Sequence, residues 1–179
     1  NIDRNFYQYQ FSRPTFYTDR FGDHITIEGD KEFKKRVNEA LDRLKKDPKI
    51  KAIIEKLHNA VETTTIKQPQ TDADKIIAIL KGPRTTAPTE GQGSYDPATK
   101  KWTRGAGTSE STVWLPPDYD YDKTGGFDVT LFHEVIHSWR FWLGYGMNSE
   151  ILGEPQAPCS TGVPWEEVIT VYWENYLRA

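Results

Sequence analysis

From His24 to Glu28 apolar and polar residues alternate, the period-two pattern of a strand with one buried face. Gly29-Asp30 then supplies a turn and a carboxylate able to cap a helix. Phe33, Val37, Ala40, Leu41 and Leu44 recur at helical spacing with lysines and arginines opposite, so a helix with one apolar stripe is predicted there. Asp47-Pro48 ends it and opens a second, in which proline takes the first turn and Ile50, Ile53, Ile54 and Leu57 form the next stripe. Val61 to Lys67, rich in Thr, Val and Ile, reads as a strand, and Asp72 to Lys81 fits either period and is read as a helix.

Gly82-Pro83 begins a stretch of Gly, Pro, Thr and Ser that runs to about Glu110, within which Tyr95-Asp96-Pro97-Ala98-Thr99 has the composition of a hairpin turn. Loops of that length inside a compact domain are usually functional or mobile. Ser111 to Leu115 reads as a short strand closed by Pro116-Pro117. Val129, Phe132, Ile136, Trp139 and Leu143 mark another helix, stopped by Gly144 and Gly146. A last helix starts at Pro164 and runs to Arg178. The expected fold class is α+β, a small mixed or antiparallel sheet with helices, and 179 residues suit one compact domain over 1–179.

Apolar content of 36%, 13% aromatic, fits a packed globule, and no apolar run approaches the roughly 18 residues that cross a bilayer, so no membrane partner is expected. A net charge of -3 argues against a nucleic-acid partner, which calls for a basic excess. The charge is uneven: Lys31 to Lys56 holds ten Lys or Arg against five acids, whereas Asp118 to the end holds ten acids against Lys123, Arg140 and Arg178. A solvated acidic surface is the plainer reading of that second half; attraction of a basic or neutral substrate strand is the other. The single Cys159 cannot form an intrachain disulfide and is read as a loop thiol. Asp118, Asp120 and Asp122 alternate like a calcium loop, but Lys123 and Val129 stand where such a loop needs Gly and Glu, so an EF-hand is rejected.

The chemistry lies in His133-Glu134-Val135-Ile136-His137. On a helix the two histidines fall about 40° apart and one turn from each other, so both rings can reach one ion. Glu134 projects from the flank of the same turn, placed to touch a water beside the ion without being a ligand. Catalytic zinc needs a third protein ligand and leaves its fourth position open. The other histidines, His24 and His58, lie far upstream, and Arg140 and Leu143 occupy the positions where an elongated motif would carry Gly and a third His. The last helix offers Glu166 and Glu167, one as ligand and the other hydrogen-bonded to a ligating imidazole.

The opening pattern Ile25 to Leu44, the His133 to His137 motif, and the Glu166-Glu167 helix with Glu174-Asn175 and Arg178 resemble the NleD-type zinc metallopeptidase effectors of bacterial pathogens. The Glu167 segment is also similar to the third-ligand helix of clostridial neurotoxin light chains, in which the second glutamate of such a pair binds the metal. This resemblance implies a zincin-like fold, one Zn2+ per chain held by His133, His137 and Glu167, with Glu166 as the alternative, and Glu134 as general base. It further implies secretion by a bacterium, action in the cytosol of a target cell, and a host protein as substrate, with MAP kinases the targets of the namesake; a monomer is expected. For the oxyanion the sequence nominates Tyr145, Tyr172, Tyr176 or Arg178. Arg140 can reach the site or pair with Glu166. By analogy with related zincins, an extended substrate is expected along Ser111 to Leu115 as an edge strand, touching Thr112, Val113 and Trp114.

Overall fold

A computed structural model describes residues 24–96, 98, 99, 101–146 and 165–178; the side chains at 95, 101, 102, 165–169, 174 and 178 lie outside that description, as does Cys159. The elements are β1 (Ile25–Glu28), α1 (Lys31–Leu44), α2 (Pro48–His58), β2 (Thr63–Lys67), α3 (Asp72–Lys81), β3 (Arg84–Thr86), β4 (Ser94–Asp96), β5 (Lys101–Thr103), β6 (Glu110–Trp114), α4 (Phe127–Trp142) and α5 (Trp165–Arg178). No described helix is long and apolar enough to cross a membrane.

The main sheet has the order β1-β2-β6-β3, with β1, β2 and β6 parallel and β3 antiparallel to β6, so the α+β expectation resolves into a four-stranded mixed sheet. Register sorts its side chains into rows. Ile27, Ile66, Val113 and Thr85 lie in one row across all four strands, and Ile66 and Val113 are fully buried in the core with the helices. On the opposite face Thr26, Thr65, Thr112 and Thr86 form one row, and Glu28, Lys67, Trp114 and Arg84 the next. Lys67 pairs with Glu28 at 3.2 Å, and Lys67 and Arg84 both lie over the Trp114 ring.

The helices follow their capping and apolar patterns. Asp30 accepts from the Phe33 amide at 2.8 Å to start α1, and the Gln68 side chain clasps Asp30 from β2's end. Asp47 accepts from the amides of Lys49 and Ile50 to start α2. The ambiguous segment 72–81 is a helix because Thr71 and Asp74 form a reciprocal capping box, although its apolar side stays open: Ile79 and Leu80 are 81% and 79% exposed. The hairpin foreseen around Asp96 is β4-β5, its turn held by Asp96 accepting from the Ala98 amide and the Thr99 hydroxyl.

One expectation is corrected. Ser111 to Leu115 does form a strand, β6, but it is paired on both sides, by β2 and β3, so a substrate strand cannot add along Thr112, Val113 and Trp114. The edge on that side of the sheet is β3, a three-residue strand inside the Gly82–Glu110 stretch that the sequence reading treated as loop. It went unread because three residues are too few to display a period, and only the β-branched Thr85-Thr86 hinted at it.

Candidate metal centre

Helix α4 lies against the sheet and is buried almost all round rather than on a single stripe: Leu131, Phe132 and Ile136 are fully buried, and Glu134, His137, Ser138 and Arg140 are buried too. Its start is fixed from two sides. The Arg43 guanidinium of α1 grips the Asp128 carboxylate in the first turn through two nitrogens at 2.7 and 2.9 Å, and the Thr130 hydroxyl reaches the Gly126 carbonyl at 3.0 Å. The negative charge of Asp128 also suits the positive end of the helix dipole. At the other end Gly144 adopts φ +75° and its amide returns to Phe141 O at 2.9 Å, which stops the helix as the sequence predicts. The long loop is stitched to this end by Gly105 N donating to Gly144 O at 2.9 Å and Thr108 N to Phe141 O at 3.1 Å.

So clamped, α4 brings the two predicted imidazoles together: His133 Nε2 and His137 Nε2 are 3.0 Å apart, with the rings inclined at 65°. Two nitrogens each bound to a tetrahedral zinc at about 2.0–2.1 Å stand about 3.3 Å apart, so this pair fits two corners of such a site. Glu134, 5% exposed, meets β3, where the Thr85 hydroxyl lies 2.8 Å from Glu134 Oε2 and 2.9 Å from Glu134 O. Thr85 is the site residue that sequence reasoning missed. Burial pushes the neighbouring Arg84 guanidinium below its ordinary range, opposed by the charges of Asp74 and Glu134.

Helix α5 packs on α4 through Trp173, edge-on to Phe132 at 6.4 Å, with Thr170 fully buried beside it. Glu166 and Glu167 stand in its first turn, but their side chains lie outside the described residues, and among the described residues no third His, Cys, Asp or Glu completes a metal-holding group. The Arg178 side chain is outside the description likewise. The Tyr176 hydroxyl donates to Asp47 at 3.0 Å, so this nominee for the oxyanion is engaged at the start of α2. Tyr172 is 56% exposed on α5 beside Trp173, and Tyr145 follows α4 with the Arg104 guanidinium 4.7 Å from its ring. Arg140 is buried and reaches Tyr145 O at 3.4 Å.

A family model, Peptidase_M91, described as an effector protein, matches residues 22–171. Neither the curated proteins nor the solved structures give a match.

Proposed function

Because the chain belongs to the Peptidase_M91 family of effector proteins, we propose that it is a zinc-dependent endopeptidase that acts on a host protein after secretion by a bacterium. The observation that carries the reading is the 3.0 Å approach of the two Nε2 atoms on a helix fixed at both ends. His133, His137 and Glu167 would hold one zinc ion, in the monomeric zincin-like domain 1–179. Glu166 and Glu167 stand in the first turn of α5, the helix that Trp173 packs on α4. Glu166 is the supporting carboxylate in this reading and the alternative ligand.

When bound, zinc supplies Lewis acidity that brings a water's pKa to about 7. Glu134 accepts the proton from the attacking water and returns it to the leaving amine; its place on the same helical turn as His133 puts it within reach. Its burial keeps bulk water from competing for the carboxylate. The extended substrate lies along β3, whose outer edge is open among the described residues, so that backbone pairing delivers the scissile bond beside Glu134. Tyr172, an exposed phenol on α5, and Tyr145 are the groups proposed to stabilise the oxyanion. MAP kinases are the substrate class that the NleD-type resemblance suggests.

The test is a host-cell lysate treated with the zinc-loaded protein or with Glu134→Gln, followed by sequencing of new protein N-termini. New termini that depend on Glu134 are expected. Their absence with a folded, zinc-loaded protein would count against a peptidase and favour a module that holds zinc only to bind a host protein, or a hydrolase of non-protein amides.

A further inference from the structure

Thr85 stands at a junction. Its strand is the sheet edge proposed to receive the substrate, while its side chain belongs to the row of Ile27, Ile66 and Val113 that faces the helices, and the Thr85–Val113 register holds it against Glu134. The hydroxyl has one proton and two acceptors in reach, Glu134 Oε2 at 2.8 Å and Glu134 O at 2.9 Å. An ionised carboxylate is the stronger acceptor, so the proton goes to Oε2 while Glu134 is charged. Once Glu134 has taken a proton, the hydroxyl can rotate to the carbonyl oxygen with no movement of β3.

Resting on the proposed role of Glu134 as base, we infer that Thr85 is its positioning residue, fixing the carboxylate rotamer from the strand that carries the substrate. The anchoring is polar: a valine methyl in place of the hydroxyl would fill the same space without donating a hydrogen bond to the carboxylate. Loss of a hydrogen bond to a charged group predicts that Thr85→Val lowers kcat by about ten- to a hundredfold, with KM and zinc content unchanged. Thr85→Ser, which restores the hydroxyl, should recover most of the rate.

A second measurement needs no activity. In the metal-free protein, Thr85→Val should shift the unfolding constant about tenfold less in a Glu134→Ala background than in the wild type, because the charged acceptor is already gone and only the backbone carbonyl at position 134 is left to the hydroxyl. An unchanged kcat in Thr85→Val, equal impairment of the Ser and Val variants, or independent effects in the unfolding cycle would each overturn the assignment. If the wild type itself shows no Glu134-dependent hydrolysis, the peptidase reading falls, and the unfolding cycle alone then decides whether Thr85 holds Glu134.

Discussion

Replacement of Trp173 by alanine probes how the last helix serves the centre. Trp173 is 5% exposed and meets Phe132 of α4 edge-on at 6.4 Å and its own helix's Tyr176 at 5.9 Å, so its ring is an apolar link between α5 and α4. Truncation of a buried Trp costs about 3–5 kcal/mol, a large part of the roughly 5–15 kcal/mol that holds a domain together. The same change should weaken zinc binding, because α5 carries the proposed third ligand while both histidines are on α4. Urea unfolding with and without zinc separates the two effects. Zinc at about a hundred times its dissociation constant adds about 2.7 kcal/mol, and a tenfold weaker site at the same zinc concentration leaves about 1.4 kcal/mol. Trp173→Ala is therefore expected to lose stability twice, once without metal and again in the zinc increment. A variant that loses the first amount but keeps the full zinc increment would refute the reasoning, since α5 would then contribute nothing to the metal.

Other perturbations test the frame around the site. Gly144→Ala places a side chain at φ +75° and drives its Cβ into Gly105 O, so it should cost more than about 1–2 kcal/mol in a denaturant melt and loosen the long loop. Asp47 is held below its ordinary pKa by the Ile50 amide first, then by the Lys49 amide and the Tyr176 hydroxyl. Its contribution is thus present above the unfolded value of 3.8 and lost as pH falls through the lower folded value, and Tyr176→Phe should reduce the steepness of acid unfolding in that window. Ile79→Lys, at an 81% exposed position of α3, should change stability by no more than about 0.5 kcal/mol.

What the sequence disclosed and what it hid follow from the range of the interactions. The boundaries of α1, α2 and α4 were legible because caps, proline and glycine act within a turn, and Asp30, Asp47 and Gly144 perform those tasks as expected. The His133–His137 pair was legible for the same reason, one helical turn being a local constraint. Strand order was not. Nothing within Ser111 to Leu115 reveals that β3 closes its outer side, because a three-residue strand is defined by its partner and not by its own period. Thr85 was missed on that account: its hydrogen bond spans 49 positions and depends on the sheet register.

The most direct trial of the account is diffraction from zinc-loaded crystals collected at the zinc absorption edge. One anomalous peak is expected, about 2.0–2.1 Å from both His133 Nε2 and His137 Nε2, with a carboxylate oxygen of Glu167 at about 2.0–2.2 Å and one position left for solvent. A peak elsewhere, none at all, or a fourth protein ligand closing the site would contradict it.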